Sequence, residues 1–443
     1  MTPHPQSARA YLKALEARGW LKAIAQPLDP KFELSAHLCL TGSGAALRFD
    51  RVAGHDMRVF ANLLCSRQRI ALGLGTCETQ LQKKLVQAIS APVDAKVVAA
   101  APCHEVAVER PDLAQLPIPT FFEHETGPYL TAGAIVARDP ESGRGNLSFA
   151  RVKPLGDNRA FIGIAPEHHL AVFARRARAQ GGKLPIALTL GNHPAVLIAA
   201  ALYLAIGEDE LRVASALLPQ PLEAVMTSNG LAVPAQCEIV LEGEIDAGAA
   251  IEEGPVSEYH GMYEDYGPGL LVEFTRLTRR RDAMLQVIQP GYYPEHVWIG
   301  AEAIAASLAH RLRDVRQVAI TPGGAGRLHA VVAVKDPGDA RRIIHAVWEA
   351  VRLIKLVTVV DADIDPWDAQ QVEWALATRM RAERDLVIRQ AASTSRSDPI
   401  EQGGKVAKLG IDATRKSGDR DDWRLAQPPA EIMLRIGRKI AAE

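Results

Sequence analysis

From about residue 130 to 290 the chain is written mostly in strands. LTAGAIVARD, GNLSFARVK, PIALTLG, AQCEIVLEGEI, GLLVEFTRLT and AMLQVIQ follow one another, and several alternate apolar with polar residues. Alternation sends successive side chains to opposite faces, so each such segment has one face for a core. Arg279-Arg280-Arg281-Asp282 reads as a hairpin tip between the last two segments. One helix interrupts the run, from about His168 to Gln180. Leu170, Phe173, Ala174 and Ala177 form its apolar stripe, Arg175, Arg176 and Arg178 its wet face, and Gly181-Gly182 its stop.

The flanks have a different texture. Residues 7–25 read as an amphipathic helix with Ala10, Leu12, Leu15 and Trp20 toward a core, and short apolar runs follow to about residue 110. There Arg110-Pro111-Asp112 and Pro117-Ile118-Pro119 mark a linker or an irregular strand entrance. After Ala301 helical and strand patterns alternate, as AEAIAASLAHRL, HAVVAV, DARRIIHAVWEAV and LVTVVDADI, which is an α/β signature. Asp365-Pro366 is expected to open a further helix, Ala391 to Asp422 to form a polar, Gly-rich and partly mobile arm, and residues 429–441 a last helix. The expectation is a mixed α/β (α+β) protein with an N-terminal α/β region (1–110), a central strand-rich domain (111–300) and a C-terminal α/β domain (301–443).

Charge narrows the partners. Lys plus Arg (51) nearly cancels Asp plus Glu (52), which gives no electrostatic reason to bind nucleic acid or an anionic membrane. The most apolar run, Pro194 to Ile206, is too short to span a bilayer, and the N-terminus carries acid as well as base, unlike a signal peptide. Cys39, Cys65, Cys77, Cys103 and Cys237 are scattered without zinc-ligand spacing, so reduced thiols in a soluble, cytoplasmic protein are expected.

Three places hold side chains that could do chemistry. Glu253 and Glu258 bracket the turn Glu253-Gly254-Pro255-Val256-Ser257-Glu258, so that two carboxylates can face one small volume. Carboxylates held together titrate unequally, one ionised and one keeping a proton; the plainer reading is an acidic surface turn. Asn146-Leu147-Ser148-Phe149-Ala150-Arg151 offers an amide, a hydroxyl and a guanidinium, yet in one unbroken strand Asn146 and Arg151 would point to opposite faces. Glu167-His168-His169 and Asp209-Glu210 each stand at a helix start, where adjacent side chains diverge and acidic residues favour the macrodipole. Asn146, one of the histidines and Glu210 would make a hard O/N/O set suited to Mn²⁺ or Mg²⁺ with phosphate oxygens. Three other motifs fail on their residues. Asp361-x-Asp363-x-Asp365 has Pro366 where a calcium loop needs Gly, Gly73-x-Gly75 lacks a third glycine, and Gly323-Gly324-Ala325-Gly326 lacks the Gly-Lys-Ser/Thr of a phosphate loop.

Taken together these fragments resemble the UbiD family of reversible decarboxylases, which use prenylated FMN. The anchors are Asn146-x-x-x-x-Arg151 and Glu253-Gly-Pro-x-x-Glu258. Pro166-x-x-His169, Asp209-Glu210, residues 216–223, Val233-Pro234-Ala235, Glu242-Gly243-Glu244-Ile245 and Gly410-Ile411-Asp412-Ala413-Thr414 follow in the family's order. The resemblance implies a central split β-barrel that binds prenylated FMN through Asn146, Ser148, Phe149, Ala150, Arg151, His168, His169 and Glu210. It implies a divalent metal, usually Mn²⁺, on Asn146, His169 and Glu210, with K⁺ nearby on backbone oxygens. His168 and Asp209 stay open as rivals to their neighbours. It further implies a Glu–Arg–Glu catalytic set of Arg151, Glu253 and Glu258, a homodimer or homohexamer built through the C-terminal domain, and a flavin prenyltransferase as cofactor supplier. Met226-Thr227-Ser228-Asn229-Gly230 and the stretch 291–298 depart from the family pattern, and Tyr293 and His296 in the latter are candidate specificity residues.

The chemistry suits these side chains. Loss of CO₂ from an unsaturated or aromatic acid leaves electrons that no side chain here can accept, so a cofactor must. Glu258 is expected to protonate the carbon left behind, and Glu253 to ion-pair with Arg151. The substrate is expected to be an aromatic, heteroaromatic (furan or pyrrole) or α,β-unsaturated carboxylic acid, with CO₂ as co-product. A non-catalytic flavin-binding or assembly subunit of a multi-protein carboxylase is the alternative. A plain FMN oxidoreductase would need a dinucleotide site that the chain does not display.

Overall fold

A computed structural model describes the whole chain apart from residues 1–2, 266, 337, 339, 420–425 and 441–443. It is a mixed α/β protein. The first helix, Ala8–Glu16 (α1), buries Ala8, Tyr11, Leu12 and Leu15. It stops well short of residue 25, because Gly19 turns left-handed (φ +70) and the Trp20 N–H bonds back to the Leu15 carbonyl. The chain then runs as the strand Leu21–Ile24 (β1), which joins Ala46–Phe49 (β2) and Arg58–Ala61 (β3) in a sheet.

The central sheet takes Ala134–Arg138 (β4), Gly145–Phe149 (β5), Arg151–Gly156 (β6), Arg159–Gly163 (β7), Leu184–Leu190 (β8), Ile239–Glu252 (β9) and Pro268–Arg279 (β10). Their spatial order is β5-β4-β8-β9-β10-β7-β6, with Val106–Glu109 paired beside β10. Its two edge strands, β5 and β6, are separated in sequence by Ala150 alone. A sheet whose opposite edges are joined by a single residue cannot lie flat. It must curl until the edges meet, and strand twist supplies the bend. Leu130, just upstream of β4, fastens the curl by exchanging both backbone hydrogen bonds with Val152 of β6 (2.8 and 3.1 Å). The helix His169–Ala179 (α2) packs its buried stripe of Leu170, Phe173, Ala174 and Ala177 against this sheet, and Gly181 (φ +82) ends it. A second short helix, Glu210–Ala216 (α3), lies against β5.

The last strand-like segment does not complete a hairpin. Met284–Val287 (β11) leaves the central sheet after Arg279–Asp282 and pairs in parallel with β3, adding a fourth strand to the N-terminal sheet. Its apolar residues are buried on both faces there, which an alternating hairpin partner would not be. One large apolar core therefore runs through the N-terminal and central regions together.

The long helix Pro294–Arg311 (α4) leads into the C-terminal sheet, which contains Val315–Ile320 (β12), His329–Val334 (β13), Leu356–Asp361 (β14), Leu386–Ser393 (β15) and Lys405–Ala413 (β16) in the order β12-β13-β14-β16-β15. Its faces carry separate cores. Val318, Ile320, Val332 and Val357 point to α4 and the helix Ala340–Ala350 (α5), whereas Ala319, Val331 and Val360 point to Ala369–Arg379 (α6). Two expectations fail here. Asp368, not Asp365, caps α6, accepting from the Gln370 and Gln371 N–H groups, with Pro366 in the preceding turn. Part of the expected arm is sheet: residues 391–393 end β15, residues 405–413 form β16, which pairs in parallel with β14, and Gly410 is a packing glycine, since a Cβ there would stand 2.4 Å from Ile344. The end of that stretch, residues 420–422, lies outside the described residues. The last helix, Ala430–Ile440 (α7), has no buried residue.

α4 ties the regions together. The Glu295 carboxylate, 1% exposed, accepts three backbone N–H groups from Asn62, Leu63 and Leu64 (2.8–3.0 Å). Glu302, also buried, pairs with Arg67. Among the described residues no helix is long and apolar enough to cross a membrane. Burial holds His193, His296 and His329 neutral, at pKa values of about 4, 3 and 4. The unfolded chain takes up these protons near pH 6.5 and the folded one only near 4 or below, so stability is lost as pH falls through that window. The urea midpoint should drop steadily between pH 6.5 and 4; a flat profile there would refute the burial of neutral imidazoles.

Candidate active site

A cavity of about 630 Å³ opens between the curled sheet and the C-terminal domain. The sequence between Asn146 and Arg151 shows how its wall is built. β5 ends at Phe149, Ala150 breaks the ladder, and β6 begins at Arg151. The interruption resets the alternation that would have sent Asn146 and Arg151 to opposite faces, and both line the cavity. Ser148, Phe149 and Ala150 line it between them.

At one end of the wall Glu210, 2% exposed, accepts from the Leu147 N–H (2.9 Å) and from the Asn146 side chain (3.0 Å). The Asn146 amide is also 3.4 Å from His169 Nδ1. Asn146, His169 and Glu210 thus converge from β5, α2 and α3. Their neighbours do other work: His168 caps α2, its Nδ1 accepting from the Leu170 N–H, and Asp209 caps α3 by accepting from Leu211. Burial raises the Glu210 carboxyl to about 8 despite these donors, and Asp209 adds repulsion. Among the described residues no cation pairs with it. A buried carboxylate in that position suits a bound cation. Among the described residues no three His, Cys, Asp or Glu side chains form a metal cluster, so any metal here depends on the asparagine oxygen as a ligand.

At the other end Arg151 makes a bidentate pair with Glu253, both contacts 2.6 Å, and Glu253 is 2% exposed. Burial opposes the Arg151 charge, yet Glu253 carries its pKa above the ordinary arginine value. The turn that the glycine and proline impose is held from behind. Gly254 is left-handed (φ +77), and the Glu253 carbonyl accepts from Thr126 Oγ1 (2.9 Å) and Lys153 Nζ (3.0 Å). Buried Glu125 accepts from Ser257 Oγ at 2.9 Å. The following residue, Glu258, lines the cavity with its Oε1 3.7 Å from Arg151 Nη1, beyond hydrogen-bond range. The two glutamates are therefore unlike: one is locked to the arginine, the other faces open volume.

His296 also lines the cavity, donating from Nδ1 to the Gly291 carbonyl at 3.0 Å. Tyr293 does not line it; its ring stacks on Phe122 (5.8 Å between centroids). Tyr203 and Arg327 line the same space and were not singled out by the sequence; the only signal for the second was the Gly-rich run before it.

Comparison with known proteins accounts for nearly the whole chain. Residues 12–89, 96–293 and 297–413 match the models of the N-terminal, Rift-related and C-terminal domains of 3-octaprenyl-4-hydroxybenzoate carboxy-lyase (UbiD). Anhydromevalonate phosphate decarboxylase of Methanosarcina mazei is 33% identical over 96% of this chain and 99% of its own. Among solved structures, the UbiD-class enzyme HmfF from Pelotomaculum thermopropionicum in complex with FMN has a TM-score of 0.89 at 38% identity, covering 96% of this chain and 98% of its own. Vanillic acid decarboxylase from Sedimentibacter hydroxybenzoicus, in closed form, has a TM-score of 0.87 at 26% identity over 99% of each chain.

The asymmetry of the carboxylates sets a stability test. Glu253→Gln removes the nearest counter-charge of the Arg151 guanidinium, held by two 2.6 Å hydrogen bonds, and should cost about 3–5 kcal/mol in urea unfolding. Glu258→Gln removes no hydrogen bond to Arg151 and should cost under about 1 kcal/mol. Equal losses would contradict the division.

Proposed function

The chain belongs to the UbiD family of carboxy-lyases, and we propose that it is a prenylated-FMN-dependent, reversible, non-oxidative decarboxylase of an aromatic, heteroaromatic or α,β-unsaturated carboxylic acid. The observation that carries this reading is the placement of Arg151, Glu253 and Glu258 on the wall that also holds Asn146, His169 and Glu210. A binding or assembly subunit would need neither a locked Glu–Arg pair nor a second, free carboxyl beside it. The similar HmfF structures hold FMN or prenylated FMN, which supports a flavin in this cavity.

When bound, the modified flavin supplies the electron sink that decarboxylation requires. Asn146, His169 and Glu210 would hold Mn²⁺ or Mg²⁺ against its phosphate, the cation neutralising the buried carboxylate. K⁺ is proposed beside it on backbone oxygens. His169, held neutral by burial, keeps a lone pair for a metal. His168 is occupied by its cap and would instead pack beside the cofactor. Ser148, Phe149 and Ala150 would offer the backbone edge of the break in the sheet to the flavin.

Arg151, kept charged by Glu253, orients the substrate carboxylate. Glu258, free of that pair, holds the proton that replaces CO₂ on carbon, and takes one back in the carboxylation direction. The C-terminal domain is proposed to assemble the chain into a dimer or hexamer. Its cofactor is proposed to come from a flavin prenyltransferase.

Glu258→Gln should retain flavin and metal but lose turnover, together with H/D exchange at the reacting carbon; near-normal rates would remove Glu258 from the reaction. His169→Ala should lower bound Mn²⁺ and flavin together, with His168→Ala keeping the metal. If only His168→Ala loses it, the ligand assignment is wrong.

A further inference from the structure

The run Phe121-Phe122-Glu123-His124-Glu125-Thr126 reads as an ordinary charged loop, yet its two glutamates end in different places. Glu123 is exposed, whereas Glu125 is buried. Glu125 Oε2 accepts from the Phe121 and Phe122 N–H groups, at 3.2 Å each. Its Oε1 accepts from the Ser257 hydroxyl at 2.9 Å and from the Ser257 N–H at 3.4 Å. One carboxylate thus joins the loop ahead of β4 to the residue immediately before Glu258, across 132 positions of sequence. Thr126, the next residue, bonds the Glu253 carbonyl, so Glu125 and Thr126 serve opposite ends of the same turn.

Val256–Ser257 pairs with Tyr263–Glu264 as a small hairpin, and Glu258 opens its turn. The Glu258 N–H donates to the Met262 carbonyl (3.0 Å), and its carbonyl accepts from the Gly261 N–H (2.8 Å). Met262 and Tyr263 on this hairpin are exposed to solvent. Glu125 grips it on one side of Glu258, and on the other the Tyr259 hydroxyl donates to the Ser397 carbonyl (3.0 Å). Among the described residues no cation pairs with Glu125. A buried carboxylate without a counter-charge is a costly way to join two loops. What it offers in return is two acceptor-only oxygens that hold donors from both loops in one fixed geometry. We infer that Glu125 is a positioning residue for decarboxylation: through Ser257 it sets where the Glu258 carboxyl stands relative to Arg151 and the cavity. Glu125 does not itself line the cavity. This deepens the decarboxylase reading and rests on it.

Glu125→Gln puts an amide N–H₂ where an oxygen accepted, so either the Phe121 and Phe122 donors or the Ser257 N–H lose their acceptor. The holoenzyme is assayed with furan-2-carboxylate, pyrrole-2-carboxylate and cinnamate, and the acid that releases CO₂ fastest is followed. Per bound flavin, Glu125→Gln should lower kcat and H/D exchange at the reacting carbon together by about tenfold to a hundredfold, with KM changed less than about twofold. Ser257→Ala cuts the same link from its other end and leaves the Phe121 and Phe122 bonds in place. It should lower kcat in the same way, and in the Glu125→Gln background change it less than about twofold further. It also carries the test alone if Glu125→Gln fails to fold. A crystal structure of either variant should show Glu258 Oε1 displaced from its place 3.7 Å from Arg151 Nη1, with the Arg151–Glu253 contacts still at 2.6 Å. An unchanged kcat per flavin, a loss carried by KM, independent losses in the double variant, or an unmoved Glu258 would each overturn the inference. If flavin is bound but no acid turns over, the decarboxylase reading fails separately. The crystal structures then decide: a displaced Glu258 upholds its placement by Glu125, and an unmoved one refutes it.

Discussion

The bidentate contact between Arg151 and Glu253 is the constraint on which the rest of the site depends. Two 2.6 Å hydrogen bonds between a buried carboxylate and a cavity-facing guanidinium are strong only where the geometry is fixed on both sides. β6 fixes the arginine, and Gly163 on β7 leaves it room, since a Cβ there would lie 2.8 Å from Arg151 Nε. Thr126 and Lys153 fix the glutamate through its carbonyl. With that pair closed, Glu258 is left with its nearest contact to the arginine at 3.7 Å and a cavity in front of it. The partition of one arginine between two glutamates thus divides the labour between them.

The second constraint is topological. Because β5 and β6 are the two edges of one curled sheet and only Ala150 separates them, the convergent Asn146–Glu210–His169 set and the Arg151 pair are placed at opposite sides of one seam. A ligand lying along that seam would meet Asn146, His169 and Glu210 at one end and the Arg151–Glu253 pair with Glu258 at the other. The sheet carries Asn146 on β5 and Arg151 on β6. Its part is to bring residues close in sequence to two distinct ends of one volume.

Much of this was legible in the chain. Period-two alternation located most of the central strands, and the α2 stripe and its Gly181 stop were read correctly. The turn chemistry of Gly254-Pro255 brought the two glutamates together in prospect. What could not be read was non-local. AMLQVIQ looks the same whether it folds back as a hairpin or crosses to pair with β3, because periodicity is silent about partners. Gly410 looked like a loop residue but is a close-packing residue, set by Ile344 far along the chain.

The most direct measurement of the central claim is the bound flavin after co-expression with a flavin prenyltransferase, by mass and absorbance, in parallel with CO₂ release from a panel of unsaturated and aromatic acids. Prenylated FMN and a divalent metal bound together, with CO₂ released from at least one acid, is the predicted result. A protein that binds neither flavin nor metal under those conditions would contradict the account.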